Sequence, residues 1–390
     1  MIWQLAFRNI RRGGIRTVLN VGVLALVFIA IVFMQGFNQG ILEQVSQAKI
    51  TFEIGGGQYW HPGYDPFDPI GLIDAHGPLP EALATAVREG RATPELIIPG
   101  SVYPQGRVMA VQIRGINPDQ KILDLPLEAL REGNGDIPIL IGSRMASAAN
   151  LREGDPLTLR WRDIHGTYDA RDARVATVMN TPVQEIDASQ IWMSLDRLYD
   201  LTGMDGHATM VVMAGGEGSQ APEIGGWPHK STTFLLKDLT AMIRFRSIAS
   251  GIIYLILLAL ALIAIFDTQI LSIFRRRREI GTLVALGMTS RSVVNLFTLE
   301  GGLHGILAML AGLALGTPLL GWVASKGIPL PQATDSYGLA LGNVLYPVYS
   351  ATLVVGTALV VLLAVLAVSY WPARRIAGLL PTDALRGRGI

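Results

Sequence analysis

The sequence predicts a membrane α-helical protein: four transmembrane helices, N-in and C-in, with a large α+β extracytoplasmic domain between helices 1 and 2. Three observations lead there. Half of the 390 residues are hydrophobic and only 16% are charged, against about 25% charged in soluble globular proteins. Four long runs carry almost no ionisable side chain. The basic residues gather near both ends and between the second and third runs, and acids prevail elsewhere.

The first run, residues 17–42, has no ionisable side chain, and 18–37 is almost wholly apolar. A helix needs about 20 apolar residues to cross about 30 Å of hydrocarbon. Residues 247–266 form a second run of that length, and 301–325 a third, interrupted by His304. The fourth lies within the uncharged stretch 336–373 and is most apolar over 350–371. The first run is too long for a signal-peptide core, and no small-residue cleavage site follows it, so it reads as an uncleaved anchor.

The net charge of +1 conceals a segregation. Residues 1–16, 275–300 and 374–390 together carry thirteen basic against three acidic side chains, and the rest of the chain carries 19 against 28. The positive-inside rule puts those three basic segments in the cytoplasm. The expected order is a cytoplasmic amphipathic helix (1–16), helix 1 (17–40), the outer domain (41–240), a stalk with helix 2 (241–274), a cytoplasmic segment (275–300), helix 3 (301–325), a short outer loop (326–349), helix 4 (350–373) and a cytoplasmic tail (374–390). The setting is a cell membrane, crossed several times, with the large domain on the outer side.

Within the outer domain, strands are expected at 108–116, 137–141, 157–161, 175–179 and 209–213. Short helices are expected at 143–151 and at 195–202, the latter capped by Ser194. Residues 55–80, rich in Gly, Pro and aromatics, read as irregular loop. From about Lys230 the pattern is helical without a break into helix 2, some 40 residues or about 60 Å at 1.5 Å per residue.

Several chemistries are excluded or unsupported. With no cysteine, there is no disulfide, thiol nucleophile or Cys-ligated metal. No P-loop occurs, the six histidines are scattered without an H-E-x-x-H, and the charge balance does not suit a nucleic-acid binder. No catalytic, cofactor-binding or metal-ligating residue is assigned. Asp267 reads as an acid near the membrane exit, solvated or paired beside the Arg275–Arg278 run. His304, one turn after Glu300, reads as packing or bonding to that acid.

The informative segment runs from Arg275 to Gly302. Four arginines mark the membrane exit. Ile280, Leu283 and Val284 then give a short helix its apolar face. Gly287 stops that helix, and Thr289 or Ser290 can cap the next one. A short cytoplasmic helix held between two membrane helices suits docking into a groove of a soluble partner; a plain surface loop is the simpler alternative. At the N-terminus, Ile2, Trp3, Leu5, Ala6 and Ile10 with Arg8, Arg11 and Arg12 read as an interfacial amphipathic helix.

Three motifs together resemble the FtsX-like (MacB-type) ABC transporter permeases: Leu5-Ala6-Phe7-Arg8-Asn9-Ile10-Arg11-Arg12, then Arg278-Glu279-Ile280-Gly281-Thr282-Leu283-Val284-Ala285-Leu286-Gly287-Met288-Thr289, then Pro372-Ala373-Arg374-Arg375-Ile376-Ala377. In that family the short helix between spans two and three is the coupling helix that touches the ATPase. The resemblance therefore assigns an ATPase interface to Glu279, Ile280, Gly281, Thr282, Leu283, Ala285, Leu286, Gly287 and Met288. It implies an ABC ATPase partner that binds ATP and Mg, a second permease subunit of the same or a related chain, and mechanical transmission to the outer domain. No cofactor is implied in this chain, and membrane lipid surrounds it. Gly57–His61, Gly115-Ile116-Asn117-Pro118 and Ile141-Gly142-Ser143-Arg144-Met145-Ala146 look like lipoprotein-releasing permeases, which implies a lipoprotein cargo or acceptor. Tyr59 and Trp60 stand where that branch is more aliphatic. MacB-like efflux and an FtsX-type regulator of a cell-wall hydrolase are the alternatives.

Overall fold

The computed structural model describes residues 2–131, 136–215, 221–276, 279–282, 287–329 and 344–376. The chain forms two units. One comprises Met1–Ile41, Met242–Ile328 and Leu345–Ile390, and the other Leu42–Ala241 and Pro329–Val344. Helix α1 (Ile2–Arg12) opens the first unit, and α2 (Ile15–Lys49) follows after a turn at Gly14, whose φ of +54° suits a residue without Cβ. A π-helical turn, Ile50–Ile54, ends the α2 rod.

In the second unit the strands are β1 (Gln58–Trp60), β2 (Gly77–Pro78), β3 (Ala92–Val102), β4 (Met109–Ile116), β5 (Ile137–Gly142), β6 (Pro156–Arg162), β7 (Tyr168–Met179), β8 (Gln190–Ser194), β9 (His207–Ala208), β10 (Met210–Met213) and β11 (His229–Lys230). Between them lie α3 (Glu81–Arg88), α4 (Ser143–Ala149), α5 (Gln184–Ser189) and α6 (Leu195–Thr202), and α7 (Thr232–Leu235) follows β11. The large sheet runs β11-β1-β10-β3-β4-β8-β5-β7-β6, and β6 also pairs with β3. That last pairing, Gly100–Val102 against Leu159–Trp161, closes six strands into a barrel and removes their free edges. Leu96, Ile98, Ile113, Ile139, Ile141, Leu159, Trp161, Val175, Ile191 and Met193 fill one core with α6 residues Leu195 and Leu198. Ile116, Leu140, Met179, Trp192 and Val212 form a second core, covered by Leu123, Leu127 and Leu130 and by Ala48 and Phe52.

Several expectations change. The strand expected at 175–179 is longer, Tyr168–Met179, because it pairs with β6 along its whole polar first half. Residues 55–80 are not all irregular: β1 and β2 lie there. Ser194 precedes α6 as expected, but its side chain makes no capping hydrogen bond. The helical run expected from Lys230 is interrupted. Ser231 caps the short α7, accepting from the Phe234 amide, and the long helix starts only at Lys237.

The first unit is completed by α8 (Lys237–Arg275), α9 (Ser290–Lys326) and α10 (Ala351–Ile376). With α2 these are four helices long and apolar enough to cross a membrane. Leu24, Ala25, Phe28 and Val32 of α2 pack with Ala261 and Ile265 of α8, Ala308 and Leu320 of α9, and Val361 and Val365 of α10. Glycines let the helices approach. A Cβ on Gly301 would lie 1.9 Å from Ser369 Oγ, and one on Gly312 would lie 2.7 Å from a Phe28 ring carbon. Small residues at such contacts are the usual means of close helix packing in lipid. Polar side chains inside the spans bond across helices: Asn20 Nδ2 donates to Thr268 Oγ1 at 2.8 Å, Asn38 Nδ2 to Tyr254 OH at 3.1 Å, and Thr357 Oγ1 to Gln35 Oε1 at 3.1 Å.

Candidate coupling site

The segment between α8 and α9 starts from Arg276, whose amide still closes the last turn of α8 onto the Ser272 and Ile273 carbonyls. Residues 279–282 are helical, and the Ile280 amide donates to the Arg276 carbonyl at 2.9 Å. Thr282 Oγ1 donates to the Glu279 carbonyl at 2.8 Å. Gly287 has φ +97°, a backbone that only glycine adopts without strain, so the chain turns there as expected. Thr289 caps α9, its Oγ1 accepting from the Ser292 amide at 3.3 Å.

Six of the nine predicted interface residues are described. Glu279, Thr282 and Gly287 are exposed, Gly281 is buried, and Ile280 and Met288 are half-buried. Ile280 and Met288 pack on a cluster of Ile273, Val293, Phe297 and Ala373. The structure therefore separates an outward set (Glu279, Thr282, Gly287) from an inward pair that anchors the segment on α8, α9 and α10. Leu283, Ala285 and Leu286, with Val284, lie outside the described residues.

An ionic junction accompanies this apolar anchor. Arg276 Nε donates to Glu279 Oε2 at 3.1 Å and Nη1 to Glu300 Oε2 at 3.2 Å. The same guanidinium carbon lies 5.6 Å from the centre of the Phe297 ring. Asn9 Nδ2 of α1 also donates to Glu300 Oε2, at 3.4 Å. His304 contacts the backbone carbonyl of Glu300 through Nδ1 at 2.7 Å rather than its carboxylate. A carbonyl only accepts, so Nδ1 carries the proton. Asp267 is exposed on α8. In the sequence Arg276 is one of four adjacent arginines at a membrane exit, and Glu300 stands one turn before His304. The signal that pointed further was the acid itself, since a carboxylate beside an apolar run needs a cation or donors.

The strand-bearing unit also holds polar groupings among its described residues. Buried Glu95 and Arg114 pair, with Glu53 4.0 Å from Arg114. His76 and His207 meet Nδ1 to Nδ1 at 2.9 Å. Among the described residues no group of three or more His, Cys, Asp or Glu is placed to hold a metal ion.

Residues 251–381 match the FtsX-like permease C-terminal family, a range that contains the whole segment just described. An uncharacterized ABC transporter permease of Methanocaldococcus jannaschii is 25% identical over 229 residues, 55% of each chain. This chain thus spans about half the length of that relative. Lipoprotein-releasing system transmembrane protein LolC from two strains of Xylella fastidiosa is 22% identical over 310 and 311 residues, 72% of this chain and 74% of each LolC. These relationships connect the chain with the FtsX-like/MacB permease superfamily.

Proposed function

We propose that this chain is the permease subunit of an ABC transporter, and that it couples ATP hydrolysis by a partner subunit to movement of its outer domain. The observation that carries the reading is the 279–288 segment. It lies inside the family match, is anchored inward by Ile280 and Met288, and presents Glu279, Thr282 and Gly287 outward. Leu283, Ala285 and Leu286 complete the ATPase-facing set by their place in the motif. The excess of basic residues in 1–16, 275–300 and 374–390 supports a cytoplasmic location for that segment and a periplasmic one for the barrel unit. The cargo is a lipoprotein extracted from the inner membrane, a reading supported by the two LolC relatives. A second permease subunit completes the assembly.

Co-expression with candidate ABC ATPases, purification in lipid nanodiscs and measurement of permease-stimulated ATP hydrolysis test this. An ATPase should co-purify, and Gly281→Arg together with Leu286→Asp should abolish the stimulation. Absence of any bound ATPase, or full stimulation in that variant, would refute the reading. Release of a labelled lipoprotein from spheroplasts tests the cargo: a release rate unchanged on depletion of this chain would favour efflux. Orientation is read from single cysteines at Thr282 and Val108, since the chain has none of its own. An impermeant maleimide applied outside should reach position 108 and miss 282.

A further inference from the structure

We propose that Arg276 and Glu300 form a latch that holds the coupling segment on α9 and α1, with Glu300 as its positioning residue. The inference rests on the reading of 279–288 as the ATPase-contacting segment only for its consequence, not for its geometry.

Arg275 and Arg276 are neighbours with different surroundings. Arg275 is exposed, as an arginine that merely marks the membrane exit should be. The Arg276 side chain is 23% exposed and its guanidinium forks, one arm to Glu279 within the segment and one to Glu300 on α9. Glu300 itself is 8% exposed. A carboxylate so placed is stable as an ion only with partners at hand, and its Oε2 has two, Arg276 Nη1 and Asn9 Nδ2. One oxygen thus ties together the end of α8, the start of α9 and helix α1. Beside it, Ile280 and Met288 rest on Phe297 and Val293. A force applied to the exposed Glu279 and Thr282 is transmitted through this polar junction and the apolar contacts beneath it. Without the junction, the segment is tethered by its apolar contacts and two turns. A lysine is a poorer junction than Arg276, because its ammonium lacks the rigid planar fork that fixes the direction of both bonds.

The test uses the full chain in nanodiscs with spin labels on Thr282→Cys and Asn295→Cys, both exposed positions. The unsubstituted junction should give one narrow distance distribution. Glu300→Gln and Arg276→Lys should each broaden it, and the double variant should broaden it no further than the worse single one. In the complex with its ATPase subunit, each variant should lower permease-stimulated hydrolysis roughly fivefold to tenfold while the ATPase still co-purifies. Distributions as narrow as the parent's in both variants would overturn the latch. If Glu300→Gln fails to fold, Arg276→Lys, which keeps the charge, decides the question. If no ATPase binds even the parent chain, the reading of the segment as an ATPase contact falls, while the label distances still settle the latch.

Discussion

Arg114 donates through Nη1 to Glu95 Oε2 at 3.1 Å, with side-chain exposures of only 5% and 0%. The pair is diagonal across β3 and β4, where Ile97 faces Arg114 and Glu95 faces Ile116. Trp192, opposite Arg114 on β8, has its ring 5.3 Å from the guanidinium. Burial pushes the Glu95 carboxyl up to about 7 despite Arg114, and Glu53 adds to the rise. A carboxyl with a raised folded-state pKa binds more protons folded than unfolded between the ordinary value of 4.5 and about 7. Its contribution therefore falls as pH rises through that window. Glu95→Gln should remove this slope, read as the difference in thermal midpoint of the full chain between pH 5 and pH 8. Arg114→Met, which leaves buried Glu95 without its cation while Glu53 keeps Lys49 at 3.5 Å, should destabilise by about 3–5 kcal/mol above pH 7.

Asp187 explains the Gly142-Ser143-Arg144 motif. Its carboxylate accepts from the Ser143 amide at 2.7 Å and the Arg144 amide at 3.1 Å, so α4 is capped by a residue 44 positions away. A Cβ on Gly142 would lie 2.2 Å from the Asp187 carbonyl oxygen. Asp187→Ala should cost about 1–2 kcal/mol through loss of the cap, and Gly142→Ala should be destabilising as well. Thermal unfolding of the full chain checks both. Equal stability of Asp187→Ala and the parent would rule out the capping role.

The four spans were legible because an apolar run of that length has few other uses in a chain with so little charge. Strands β4, β5, β6 and β10 were legible in their apolar residues. Strand β3 was not: Pro94, Pro99 and Gly100 interrupt it, and proline usually marks an edge, yet β3 has β10 and β4 on its two sides. Strand β8 is buried along its whole length and shows no alternation. The Gly287 turn and the Thr289 cap were readable because both are local. The Arg276–Glu300 contact was not, since a sequence states that a half-lipidic acid needs a partner but not which of four adjacent arginines supplies it.

The glycines of the membrane unit should divide by what a methyl group would meet. Gly301→Ala puts a carbon into Ser369 and near Gln269 Nε2, 3.3 Å away. The resulting overpacking should cost about 1–3 kcal/mol. Gly321 has nothing within 4 Å of the added carbon and an ordinary helical backbone. Gly321→Ala should be neutral or stabilising by up to about 1 kcal/mol. Thermal midpoints of both variants in detergent give the comparison, and equal effects would contradict the packing of α9 on α10.

The histidines near β2 and β9 should give a pH slope opposite to that of Glu95. Burial lowers the His76 pKa, and His207 and His61 lower it further, against a smaller upward pull from Asp74. His61 is lowered too, first by burial and then by His207. A histidine with a depressed folded-state pKa binds fewer protons folded than unfolded. Its contribution is present above the ordinary 6.5 and is lost as pH falls below it. His76 and His207 face each other Nδ1 to Nδ1 at 2.9 Å across the β2–β9 pairing. His76→Gln should therefore raise the thermal midpoint at pH 5 relative to the parent and leave it little changed at pH 8. Combined with Glu95→Gln, it should flatten the profile below about pH 7. A profile flat from pH 5 to 6.5 in the Glu95→Gln background would show that His76 and His61 carry no such linkage.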